Sequence, residues 1–242
     1  MFELLTSLGH TLFRTRNVVF PLLLIIVCAL LPPVSIGAPG EGWVVLAGLI
    51  VLALGQGLRI LTIGLDYIRR GGRDGRIHAD RLVTGGVFAI CRNPMYTGNV
   101  TMVVGFFALA GNPWGLIIGS AIGWFVYRAI IAAEESFLVA EFGEEYREYC
   151  RRVPRWLPSP PALLRVASGH RFDWAAVVLR EYGTLMTTML IVLILLGIKA
   201  ARADALGAWA PWLVGIAVLT AIGWGVARFL KKTRRLRPWN AS

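Results

Sequence analysis

The length of its apolar runs constrains this chain more than any other feature. Trp43 to Leu65 is an almost uninterrupted hydrophobic stretch, and about 20 such residues, rising about 1.5 Å each as a helix, cross the hydrocarbon of a bilayer. Similar runs recur at Val18 to Leu31, Gly183 to Ile198 and Trp209 to Phe229, with a longer one at residues 99–131. Inside lipid every backbone N–H and C=O must be satisfied within the segment, so runs of this length are read as helices. The expectation is an all-α integral membrane protein with about six membrane-inserted helices.

Composition supports that class. The 242 residues are 56% hydrophobic and 16% charged, too apolar for a soluble domain of this size. The 25 basic residues outnumber the 14 acidic ones. In so apolar a chain the excess belongs to cytoplasmic loops facing anionic lipid rather than to nucleic acid. Cys28, Cys91 and Cys150 are an odd number without C-x-x-C spacing, which suggests neither a disulfide frame nor a metal site.

Arg14 and Arg16 ahead of Val18 to Leu31 have the layout of a signal peptide. The further spans favour a first membrane helix, continuing through Pro32-Pro33 to about Ile36. Gly55-Gln56-Gly57 and Arg59 interrupt the second run. Polar groups at that depth face protein or a cavity, and the glycines are read as packing positions. From Asp66 to Arg92 the connector carries six arginines against three aspartates, so it is expected in the cytoplasm together with both termini. Three regions follow: residues 1–66 with two spans, 67–158 as a core, and 159–242 with a linker, two spans and the basic tail Lys231 to Arg237.

The core holds most of the polar chemistry. Residues 99–131 break at Gly111-Asn112-Pro113 into a short arm of about a dozen residues and a longer one, which reads as a hairpin returning to the side it came from. Its polar ends, Arg92-Asn93-Pro94 and Glu134-Glu135, would then meet. Asn93-Pro94 has the form of an N-cap with proline at the first helical position, and such a helix start also suits a carboxylate. Adjacent glutamates diverge by about 100° on a helix, so one is expected to face inward and the other water. Beyond them, Phe142, Tyr146 and Tyr149 recur at helical spacing among charges, giving an amphipathic helix at the membrane surface. Residues 173–182 read as a short interfacial helix, and Lys199, Arg202 and Asp204 as an external loop.

Six fragments then occur in order: Leu82-Val83-Thr84-Gly85-Gly86-Val87-Phe88, Arg92-Asn93-Pro94-Met95-Tyr96-Thr97-Gly98, Asn112-Pro113, Glu134-Glu135, Phe142-Gly143-Glu144-Glu145-Tyr146-Arg147-Glu148-Tyr149 and Val153-Pro154. Together they resemble the isoprenylcysteine carboxyl methyltransferases and the related integral-membrane phospholipid methyltransferases. The resemblance covers about a third of the chain. It implies a membrane enzyme that moves a methyl group from S-adenosylmethionine to a lipophilic, membrane-resident acceptor, with the cofactor in a cytoplasm-facing pocket. Carried over by position, the cofactor contacts are Arg81, Leu82, Val83, Phe88, Asn93, Pro94, Tyr96, Glu134 and Glu135. Asn93 stands where the isoprenylcysteine branch carries His, and Ile130 where that branch places an Arg. Arg128 is the nearest base to that position, so Arg128 and Arg155 are the candidates to hold an anionic acceptor group during catalysis. The last two spans lie outside the resemblance and are expected to line a lipid route. A membrane reductase of the sterol-reductase type using NADPH, and a non-enzymatic scaffold, are the alternatives.

Overall fold

The computed structural model describes residues 2–65, 79, 81–157, 161–162, 166 and 172–236. Six helices make up its frame: α1 (Phe2–Leu30), α2 (Glu41–Leu65), α3 (Pro94–Ala110), α4 (Pro113–Arg152), α5 (Trp174–Ala201) and α6 (Leu206–Lys232), with a 3-10 turn at Gly86–Ala89. The chain is an all-α membrane protein. Five of the helices are long and apolar enough to cross a bilayer, and α3 is a shorter apolar helix. Their outward faces carry Ile25, Ile50, Leu54, Ile117, Ile194 and Leu219 exposed, as lipid contact requires. Most of the Asp66–Arg92 connector, most of the linker before α5 and the end of the basic tail lie outside the described residues.

Small residues and local breakers set this frame. Helices α2 and α3 pack backbone to backbone: a Cβ on Gly55 would fall 2.7 Å from the Gly98 carbonyl oxygen, and one on Gly98 would fall 2.8 Å from that of Gly55. Lipid tails are as apolar as the side chains, so such close backbone approach, rather than expulsion of water, holds membrane helices together. Around it Leu52, Met102, Phe106, Leu109 and Leu195 form a core shared by α2, α3 and α5. Helix α1 runs antiparallel along α4, with Gly9 against Ala129 and Phe20 stacked on Tyr127 at 4.4 Å.

Several boundaries differ from the sequence expectations, each for a local reason. Helix α1 begins at Phe2 and ends at Leu30, short of Ile36; Pro32-Pro33 cannot supply the next amides. The segment after it crosses the hairpin tip instead, where Val34 N donates to Ala110 O at 2.9 Å and Ile36 N to Lys199 O at 3.3 Å. The short hairpin arm is 17 residues, about 25 Å, because the helix already starts at Pro94. Its tip therefore reaches the level of the α1–α2 connection. The amphipathic helix is present: at Gly143 (φ +53°, ψ −124°) the backbone leaves the helical region and kinks, and residues 144–152 continue beyond it as a second helical segment; glycine adopts that conformation without strain. Its two faces are as expected, with Tyr146 and Tyr149 buried and Glu144, Arg147, Glu148 and Arg151 paired on the surface.

The C-terminal half differs too. Residues 174–201 form one helix, capped by Asp173 Oδ1 accepting from Ala176 N at 2.9 Å, rather than an interfacial piece followed by a span. Lys199 is not in an external loop. It is wholly buried in the last turn of α5, 3.0 Å from Glu41 Oε1 and donating to Leu109 O at 3.1 Å. A charge at that depth persists only when paired and hydrogen-bonded.

Candidate active site

The expected meeting of the hairpin's polar ends occurs, and it is stitched chiefly by backbone carbonyls. Arg92 N donates to Pro154 O at 2.9 Å, Asn93 Nδ2 to Arg155 O at 3.1 Å and Thr97 Oγ1 to Trp156 O at 2.6 Å. The Cys91 thiol donates to the same Trp156 oxygen at 2.8 Å, and burial pushes that thiol above its ordinary range. Tyr149 closes a second link, its hydroxyl donating to Phe88 O at 2.6 Å. Thus the fragments around Phe88, Arg92-Asn93-Pro94, Tyr149 and Val153-Pro154, far apart in sequence, form one cap over the end of the bundle.

Glu134 and Glu135 divide their work. Glu134 turns toward α3 and accepts from the Tyr96 hydroxyl at 2.9 Å. Glu135 does not face water, as the 100° rule had suggested for one of the pair. Arg155 holds it through both carboxylate oxygens at 2.9 and 2.7 Å, and Arg92 donates to it at 3.2 Å. For Arg92, burial works most strongly, against the charged form, but Glu135, Cys150 and Tyr146 together outweigh it and raise the guanidinium above its usual value. The sequence could not show this clasp, because its three members are 43 and 20 residues apart.

Asn93 also departs from its simplest reading. It occupies the N-cap position of α3, yet its side chain makes no capping hydrogen bond; its Nδ2 donates to Arg155 O instead. The first-turn amides of Met95 and Tyr96 therefore lack a side-chain cap, at the positive end of the helix dipole.

These groups border a cavity of about 880 Å³, in the upper part of the range for small-molecule sites. Of the residues predicted to contact a cofactor, Phe88, Asn93, Pro94, Tyr96 and Glu134 line it. Glu135 stands behind it in the clasp. Arg81, Leu82 and Val83 precede the 3-10 turn and are not part of the wall, with Arg81 exposed. Neither Arg128 nor Arg155 lines it: Arg155 is bound to Glu135, and Arg128 Nη1 is buried without a hydrogen-bond partner among the described residues.

The rest of the wall comes from groups the sequence reading did not single out as a site. Arg59 on α2 donates through Nε and Nη2 to Glu181 of α5 at 2.6 and 2.8 Å, and through Nη1 to Asn99 of α3. Gln56 Nε2 donates to the same carboxylate at 2.6 Å. The interior placement expected for Gln56 and Arg59 is therefore right, and their partner is Glu181, in the segment read as interfacial. Arg16 of α1 is also in the wall, although its place just before the first apolar run gave it the look of a flanking charge. Its position four residues before Phe20 on an unbroken helix was the available signal.

Comparison with known proteins finds relatives of the segment that carries these groups. The phospholipid methyltransferase family model matches residues 43–145, which include most of α2, the 3-10 turn, α3 and most of α4. Protein-S-isoprenylcysteine O-methyltransferase of Rattus norvegicus is 33% identical over 119 residues, covering 48% of this chain and 42% of that protein. Protein-S-isoprenylcysteine O-methyltransferase B of Arabidopsis thaliana is 34% identical over 130 residues, 50% of this chain and 63% of that one. The enzyme of Schizosaccharomyces pombe is 35% identical over 80 residues, 33% and 34% of the two chains. The chain thus spans between about a third and two thirds of the length of these relatives. No solved structure matches.

Proposed function

We propose, from the similarity of this chain to phospholipid and isoprenylcysteine methyltransferases, that it transfers a methyl group from S-adenosylmethionine to a lipophilic acceptor in the membrane. The observation that carries this reading is the convergence of Phe88, Asn93, Pro94, Tyr96 and Glu134 on one cavity at the end of the bundle. The donor set suits the cofactor. Uncapped amides at the start of α3 match a carboxylate, and the Glu134 carboxylate matches an ammonium or ribose hydroxyls. When bound, S-adenosylmethionine supplies a sulfonium methyl that a nucleophile takes directly.

The protein's own part is orientation. Tyr96 fixes the Glu134 carboxylate, and the clasp of Glu135 by Arg92 and Arg155 fixes the helical turn that carries it. In this reading Arg155 is a positioning residue that keeps residues 154–156 over the loop at 91–97. Holding acceptor and donor in line inside a water-poor cavity supplies most of the rate for such a transfer. The Asn93 end, where Arg151, Arg152, Arg155, Lys231, Lys232 and Arg234 gather, faces the cytoplasm under the positive-inside rule.

Calorimetry on the purified protein in detergent tests the reading. S-adenosylmethionine should bind and NADPH should not; binding of NADPH alone would replace this function with a reductase.

A further inference from the structure

The cavity wall changes character with depth, and it does so on three helices at once. On α1 the lining passes from Arg16 to Phe20 and Leu24. On α3 it passes from Tyr96 to Val103 and Phe107. On α5 it passes from Arg180 through Thr184 to Ile191. All three run from the Asn93 end toward the hairpin tip, so the polar groups share one end and the apolar groups lie deeper. A space built this way fits an amphiphile, with its headgroup at the Asn93 end and its chain toward the bilayer middle.

Arg16 marks where the headgroup goes. Its Nη1 is buried without a hydrogen-bond partner among the described residues, and its guanidinium lies over the Phe13 ring at 4.2 Å. It lines the same cavity as Tyr96, Tyr127 and Glu134. A buried guanidinium donor left unpaired is costly, and a carboxylate or phosphate is the group that its planar fork matches. Among the other arginines of the wall, Arg59 has Nε and both terminal nitrogens engaged by Glu181 and Asn99, and Arg92 is paired with Glu135. Helix α1, moreover, lies outside the stretch that matches the family.

We infer that Arg16 is a specificity-determining residue that receives the anionic headgroup, carboxylate or phosphate, of an acceptor whose alkyl chain lies along Phe20, Leu24 and Phe107. The inference rests on the methyltransferase reading for the word acceptor, but the anion site is testable apart from it.

The experiment uses the full chain in maltoside micelles and three titrants: hexadecyl phosphate, inorganic phosphate and S-adenosylmethionine. Wild-type protein should bind hexadecyl phosphate roughly tenfold or more tightly than inorganic phosphate. Arg16→Gln should weaken hexadecyl phosphate by about tenfold or more while S-adenosylmethionine affinity stays within about twofold. Arg16→Lys should restore part of the loss, and Arg14→Gln, an exposed neighbour, should change nothing. Unchanged hexadecyl phosphate binding in Arg16→Gln overturns the proposal. So does a loss of S-adenosylmethionine binding instead, which would give Arg16 to the cofactor, or equal affinity for inorganic phosphate, which would mean a bare anion site. If wild-type protein binds hexadecyl phosphate through Arg16 but not S-adenosylmethionine, the anion site stands and the methyltransferase reading falls.

Discussion

The hairpin carries the same dipeptide at two places, and the two copies do different things. At the tip, Asn112 Oδ1 accepts from the amides of Trp114 and Gly115 at 3.1 and 3.0 Å, and Pro113 opens α4. At the other end Asn93-Pro94 opens α3 in the same way, but the Asn93 side chain is turned outward to Arg155 O. One asparagine satisfies its own helix and the other leaves its helix start available. The two ends also place buried charge differently. Lys199 and Glu41 at the tip are engaged with one another and with the Leu109 carbonyl, whereas Glu134 and Arg16 at the Asn93 end face a cavity. The tip pairs its buried charges with one another, and the opposite end turns some of its polar groups to a cavity.

That contrast can be broken by substitution. The largest effect is expected at the tip: Lys199→Met leaves Glu41 buried without its cation and should cost about 3–5 kcal/mol. It should appear as a fall in the thermal midpoint, with S-adenosylmethionine affinity unchanged in the protein that remains folded. A large loss of affinity with an unchanged midpoint would reverse the assignment of the two ends. Next, Glu134→Gln removes a charged acceptor from the cavity, and a hydrogen bond to a charged group contributes about 1.5–3 kcal/mol. Calorimetry should show S-adenosylmethionine bound roughly tenfold or more weakly, with little change in melting.

The asparagines give the sharpest paired test. Asn112→Ala should lower stability by about 1 kcal/mol, the usual cost of a lost cap, and leave ligand binding intact. Asn93→Ala should do the opposite, weakening S-adenosylmethionine binding several-fold with a smaller change in melting, because its side chain caps nothing. If both variants lose stability equally and neither affects binding, the two ends are alike and the comparison fails. The smallest effect is reserved for Glu141→Gln, an exposed position on the same helix as Glu134, where neither melting nor binding should move.

Much of this was legible in the chain itself. Apolar run length gave the helices, since a bilayer leaves the backbone no other satisfied state. The tyrosines at 146 and 149 announced the buried face of α4, and Gln56 and Arg59 announced an interior position by being polar at membrane depth. The partners were not legible. Nothing in local sequence ties Glu135 to Arg92 and Arg155, or Arg59 to Glu181, because those contacts span up to 122 residues and depend on how the helices are laid side by side. Lys199 misled for the same reason: near the end of an apolar run it reads as a loop charge, and only the approach of Glu41 and the Leu109 carbonyl makes burial tolerable.

The sequence by itself determined that this is a helical membrane protein, that helices open at Pro94 and Pro113, and which segment carries the methyltransferase-like pattern. Tertiary structure alone decided which polar groups are spent on one another and which line the cavity. The physical reason is that helix formation in lipid is a local hydrogen-bonding requirement, whereas pairing a buried charge is a property of two distant segments brought within about 3 Å.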